Sequence, residues 1–228
     1  MNELTIEALG DSAICVQVDG PPLAANARIH RLAAAVRNAR LPAVRDVVPG
    51  MCALVVHVDP RHADLDRLES VIRAAATMEP GPAGTGGEGE AAAAIVEIPV
   101  TYGGAVGVDL AEVAAACSMD AAEVCRRHAQ PEYVVCFTGF LPGFPYLGLL
   151  DPALRLPRRA TPRSRVPAGA VAIAGEYAGI YPASSPGGWH LIGHTTLSLF
   201  DLDADPPARL APGMRVRFVP ILRGEHGT

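Results

Sequence analysis

A chain of 228 residues, half of them hydrophobic, has room for two small domains or one large one and can bury a sizeable core. Its net charge of −5 argues against nucleic-acid binding, and no apolar run approaches the roughly 18–20 residues that span a membrane. All 19 basic residues are Arg, so the chain offers no P-loop Lys, no Schiff-base amine and no attachment point for biotin or lipoate.

The opening MNELTIEALGDS has neither a basic n-region nor an apolar h-region, so no signal peptide is expected. The five cysteines are widely spaced and form no C-x-x-C. They read as buried free thiols in a reducing compartment, which points to the cytoplasm. LTIEALG and SAICVQV are predicted strands meeting at Gly10-Asp11. PPLAANARIHRLAAAVRNAR places Ile29, Leu32, Ala33 and Val36 on one helical face, with Arg opposite. VRDVVPG and CALVVHV are two more strands, joined at Pro49-Gly50. DLDRLESVIRAAATM then gives a helix with Leu65, Leu68, Val71 and Ile72 on one stripe. This ββαββα order predicts a small α/β domain over 1–78, an open sheet with helices on one face.

Residues 79–94, EPGPAGTGGEGEAAAA, read as a flexible linker because Pro, Gly and Glu bury little surface. The composition then changes: all eleven aromatics fall at or after Tyr102. AIVEIPV is a strand, Asp109 is placed to cap a short helix, and Asp120 with Glu123 forms a capping box for the next. After His128 come short apolar runs separated by turns, namely EYVVCFTG, AVAIAG, HLIGHTTLSLF and MRVRFVP, which predicts a mainly-β barrel or sandwich over 95–228. Pro-Gly pairs at 142–143, 186–187 and 212–213 predict type II turns, with Val166-Pro167-Ala168-Gly169 a looser relative.

Three segments of this second half could carry chemistry. FTGFLPGFPYLGLL, residues 137–150, is free of charge and too broken for a helix. Its Phe140, Pro142, Gly143, Phe144 and Tyr146 belong either to a barrel plug or to a pocket or partner interface. RLPRRATPRSR, residues 155–165, holds five arginines in a stretch stiffened by Pro157 and Pro162. It is either a solvated loop or a carboxylate or phosphate clamp, with Arg158, Arg159 and Arg163 as the binding candidates. GIYPASSPGGWHLIGHT, residues 179–195, is either a barrel corner filled by Trp189 or a pocket wall. In the second reading Ser185, Gly187, Gly188 and Trp189 meet the substrate, with backbone N–H groups approaching through the glycines. His128, Tyr181 and His190 are the candidate catalytic side chains. No G-x-S-x-G, H-E-x-x-H or G-x-G-x-x-G occurs, and the His190/His194 pair has no third ligand beside it, so no metal site is expected.

The order of these motifs resembles a bacterial family. That family contains the B-type component of ATP-dependent 5-oxoprolinase, the KipI-type inhibitors of histidine kinases and proteins labelled allophanate hydrolase subunit 1. The resemblance runs almost end to end, through GDSAICVQ, DVVPGM, IPVTYGG with GVDLAEVA, H-x-x-x-x-Y from His128 to Tyr133, GFLPGFPYLG, LDPALRLPRRATPRSRVPAGAVAIAG, GIYPASSPGGWHLIG, LFD and LAPGMRVRF. His194 stands where the family usually has Arg, and Tyr177 stands at or beside a usual Gln.

The resemblance implies an α/β N-terminal domain and a cyclophilin-like barrel. It implies two partners, an A-type subunit and a second, homologous barrel subunit of the 5-oxoprolinase C type. The paired barrels resemble the carboxyltransferase part of urea amidolyase. It implies opening of the 5-oxoproline lactam to glutamate, with ATP and Mg²⁺ serving the complex and no cofactor on this chain. Two other roles share the same motifs: inhibition of a sensor kinase, and an allophanate- or urea-handling hydrolase.

Overall fold

A computed structural model describes residues 4–78 and 94–221, and the chain parts into two compact units between Ala93 and Ala94. Apart from its last residue, the expected 79–94 linker lies outside the described residues.

In the first unit the strands β1 (Leu4–Ala8), β2 (Ala13–Val18), β3 (Val44–Pro49) and β4 (Ala53–Val58) form an antiparallel sheet in the order β1-β2-β4-β3. Helices α1 (Pro22–Asn38) and α2 (Leu65–Thr77) complete the expected ββαββα order. Alternation along β2 turns Ile14, Val16 and Val18 inward. They meet Ile29, Leu32, Ala33 and Val36, the stripe that the 3.6-residue period places on one face of α1. Each large apolar side chain withdrawn from water contributes roughly 1.5–3 kcal/mol. The α2 stripe is narrower than expected. Leu68 and Ile72 are buried, but Leu65 stands in the first turn, just past the Asp64 cap, and stays exposed.

The second unit is a closed barrel. Its strands are β5 (Ile95–Tyr102), β6 (Tyr133–Thr138), β7 (Pro145–Gly148), β9 (Ala170–Ala174), β10 (Tyr177–Ile180), β12 (His190–His194) and β13 (Arg215–Pro220), in the order β10-β7-β6-β13-β5-β12-β9. Within the barrel, β13 and β5 pair in parallel. Closure removes the sheet edges, and Ile98, Val100, Val135, Leu147, Ile173, Ile192 and Phe218 fill the interior. Helices α3 (Leu110–Ala116) and α4 (Ala121–Ala129) lie between β5 and β6 in the chain. Two strands sit outside the barrel as a ribbon, β8 (Arg163–Val166) against β11 (Ser185–Gly187).

Three local expectations change. Asp120 caps α4 by accepting the Glu123 amide, yet the Glu123 carboxylate turns to Arg126 and Arg127 instead of back to the cap. Asp109 precedes α3 but caps nothing with its side chain. The turn at 141–144 forms, with Gly143 at φ +76° and the Phe144 amide on the Leu141 carbonyl. Ser185-Pro186-Gly187 is strand β11 instead, because the arginine loop is present to pair with it.

Candidate active-site wall

The arginine loop is fastened along the segment that carries Trp189. Arg163 pairs with Gly187 in the ribbon, the Arg159 amide donates to the Gly188 carbonyl, and Nε2 of His190 lies 2.9 Å from the Pro157 carbonyl. Pro157 and Pro162 disfavour a helix here, so the loop stays extended beside its partner.

One carboxylate gathers these pieces. The Asp109 side chain is only 3% exposed. Arg163 grips both of its oxygens, at 2.6 and 2.9 Å, and Nη1 of Arg159 reaches Oδ1 at 3.0 Å. The Leu191 amide donates to Oδ2 at 2.7 Å, while the Asp109 amide donates to the Leu191 carbonyl. Arg159 also meets Glu112, whose carboxylate raises the Arg159 pKa further. A buried carboxylate survives only when its lone pairs are filled in this way. Asp109 thus ties α3, the arginine loop and β12 together.

This arrangement sorts the arginines. Arg159 and Arg163 direct their charge to Asp109, and Arg155 is held by Glu176 at 2.6 Å. Arg165 donates to the Ser184 hydroxyl. Arg158 is exposed and joins no ion pair among the described residues. It lies close enough to Tyr181 to oppose the rise in phenol pKa that burial causes.

The aromatics form a continuous wall next to this loop. Phe144 meets Tyr181 and Trp189 edge-on at 5.2 and 5.5 Å between ring centroids, and Tyr146 meets Trp189 at 5.7 Å. Tyr181, Phe144 and Trp189 are buried, and Phe140 extends the row outward with 60% of its surface exposed. Gly187 is required here for space, since a Cβ would stand 2.3 Å from the Tyr181 hydroxyl. At Gly143 a side chain would strike Phe200. Phe140 itself is held at φ +69°, a region that only glycine enters without cost. Pro142 is exposed at the tip of that turn, and the Ser185 hydroxyl donates to the Pro186 carbonyl.

Most of the expected site residues therefore share one neighbourhood: Phe140, Phe144, Tyr146, Tyr181, Gly187, Gly188, Trp189, His190 and the arginine loop. His128 does not join them. It is wholly buried, with Nδ1 2.7 Å from the Tyr102 hydroxyl and its ring 4.3 Å from Phe218. Burial lowers its pKa to about 3, so it is a neutral packing group. The H-x-x-x-x-Y spacing has a structural reason: the Tyr133 hydroxyl donates to the His128 carbonyl. His194 is apart as well, its Nε2 on the Ala168 carbonyl at 3.0 Å. Sequence reasoning took Asp109 for a helix cap and passed over Glu112. The available signal was the pair Arg159 and Arg163, two cations in a stiff loop with no acid between them.

Residues 4–210 match the family described as carboxyltransferase domain, subdomain C and D. The chain is 45% identical over 221 residues to the B-type component of 5-oxoprolinase from Escherichia coli O157:H7, with 95% of each chain covered. It is 40% identical over 225 residues to the corresponding component from Bacillus subtilis, covering 95% of this chain and 92% of that one. Among solved structures, TTHA0988 superposes with a TM-score of 0.79 at 37% identity, covering 94% of this chain. This chain spans 41% of that larger protein.

Proposed function

The chain belongs to the carboxyltransferase-domain family, subdomains C and D, and we propose that it serves as the B-type component of an ATP-dependent 5-oxoprolinase. The observation that carries this reading is the near end-to-end correspondence with that component from two different bacteria. In the proposed reaction the lactam of 5-oxoproline is opened to glutamate. A lactam carbon is a poor electrophile, because nitrogen donates into the carbonyl. Phosphorylating the carbonyl oxygen removes that protection but calls for nucleotide and Mg²⁺. The chain has no Lys for a P-loop, and no group of three metal-ligating side chains occurs among the described residues. We therefore assign ATP and Mg²⁺ to the assembled complex, with an A-type subunit and a second, homologous barrel subunit as partners.

In this reading the chain supplies one wall of a shared site. Tyr181, Trp189, Phe144 and Phe140 provide its apolar surface. Arg158, which forms no ion pair among the described residues, meets the substrate carboxylate. Backbone groups at Gly187 and Gly188 approach the ligand, and Arg159 and Arg163 hold the wall in place. The test is reconstitution: 5-oxoproline, ATP and Mg²⁺ are given to this chain alone and to its complex with both partner subunits, and glutamate is measured. Glutamate is expected from the complex only. Turnover by the chain alone overturns the shared site, and no turnover by the complex overturns the lactam reading.

A further inference from the structure

Two buried polar atoms around Asp109 have no hydrogen-bond partner, Nδ1 of His190 and Nε of Arg159. Their chemistry is opposite. Nε2 of His190 lies on the Pro157 carbonyl, and a carbonyl only accepts, so Nε2 carries the hydrogen. In the neutral ring this leaves Nδ1 as a bare lone pair, an acceptor. Nε of Arg159 is always N–H, a donor. His190 is 7% exposed, so its lone pair is not simply lost to bulk water.

The two residues belong to one small neighbourhood. The bonds from Arg159 to Gly188 and from His190 to Pro157 lay their segments side by side. Nη1 of Arg159 and the amide that follows His190 end on the two oxygens of the same Asp109 carboxylate. Asp109 therefore fixes the backbone on one side of the pair and the guanidinium on the other.

We propose that His190 and Arg159 together read the edge of a cis-amide. In an ordinary trans amide, N–H and C=O point in opposite directions. A ring holds the amide cis, and both groups then lie on one edge. The N–H donates to Nδ1 of His190, and the neighbouring carbonyl oxygen accepts from Nε–H of Arg159. This rests on the lactam reading above and deepens it, assigning recognition of the amide edge to two named side chains distinct from the carboxylate contact at Arg158. Neither atom touches solvent in the chain as it stands. Ala160, Thr161 and Pro162 are exposed between the two fastened arginines, and the proposal requires this part of the loop to give way for a ligand to reach the pair.

Two experiments test the pair. In the first, the full chain carries ¹⁵N-labelled histidine, and the His190 imidazole resonances are followed while 2-pyrrolidinone, 5-oxoproline or N-methyl-2-pyrrolidinone is added. The two N–H lactams are expected to shift Nδ1, with binding at least about tenfold weaker for the N-methyl compound, because a site built on a hydrogen bond rejects the analogue that lacks it. Equal shifts from all three, or none from any, overturn the proposal.

The second experiment uses the reconstituted complex with His190→Gln and His190→Asn. Gln keeps a donor for the Pro157 carbonyl but has no acceptor at the δ position. Asn keeps an acceptor at the δ position and gives up the tie to Pro157. The proposal expects Gln to raise KM for 5-oxoproline about tenfold while thermal stability stays near that of the parent, and Asn to do the reverse. A Gln variant with unchanged KM reduces His190 to a strut and overturns it. If the parent complex turns over no lactam, the functional reading fails, and the imidazole resonances still decide this proposal.

Discussion

The barrel domain buries two histidine neighbourhoods and treats them in opposite ways. His128 is packed against the rings of Tyr102, Tyr133 and Phe218. His190 sits beside a carboxylate and two guanidiniums that are also largely withdrawn from water. Burial acts on both. In the first case it removes charge, because an isolated imidazolium cannot be solvated there, and the ring becomes packing. In the second case the charges are buried together, satisfy one another, and leave one acceptor and one donor over. A buried titratable residue is therefore not evidence of a site by itself. Nε2 of His128 is also without a hydrogen-bond partner, so an unused ring nitrogen does not by itself set the two histidines apart. The company each keeps does, aromatic rings for His128 and charged groups for His190.

The sharpest way to break this contrast is at Asp109. Asp109→Ala leaves two guanidiniums and the Leu191 amide facing an apolar gap. Removing one partner of a buried ion pair costs about 3–5 kcal/mol. Urea unfolding of the full chain should show a loss of that size. A loss under about 1 kcal/mol would mean that the arginines are as well served by solvent, and that Asp109 ties nothing together.

The contrast is next sharpened by pH. His128 has a folded pKa near 3 against an ordinary value of about 6.5. Between those values the unfolded chain binds the proton and the folded chain refuses it. Stability is therefore full above about pH 6.5 and falls as acid is added, by about 2 kcal/mol between pH 7 and pH 5. His128→Gln, which does not titrate, should flatten that part of the curve. An unchanged slope in the variant would place the acid sensitivity elsewhere and take away the view of His128 as an uncharged core group.

How much of this was legible beforehand depends on the range of the interactions. The helix stripe Ile29-Leu32-Ala33-Val36 and the ββαββα order follow from local periodicity, and both appear in the fold. The barrel strands at 133–138, 170–174 and 215–220 follow from short apolar runs between turn residues. The 186–187 turn failed because a Pro-Gly pair reports only its own φ preferences. A strand supplied from about twenty residues away, at Arg163–Val166, overrode them. Asp109 failed for the same reason. Its position before α3 said cap, whereas Arg159 and Arg163, 50 and 54 residues on, claimed its oxygens. Candidate residues were chosen by type and place in the sequence; which of them pack together and which stand apart needed the third dimension.

The smallest expected effect on stability lies at Phe140, where the outer end of the aromatic wall can be tested against the buried part. Its backbone occupies the left-handed region, which costs a residue with a side chain roughly 1–2 kcal/mol. Its ring is mostly exposed and touches Phe144 and Tyr181 only edge-on. Phe140→Gly removes the strain and the edge contacts together. These nearly offset, so the unfolding free energy should change by under about 1 kcal/mol. The proposed function gives this strained, exposed ring a contact in the assembled site, and on that reading the same variant should slow lactam turnover by the complex about tenfold. Stability falling by clearly more than about 1 kcal/mol, with activity tracking the folded fraction, would make Phe140 part of the barrel plug. The wall would then end at Phe144 and Tyr181, and the binding surface would shrink to the side where Arg158 stands.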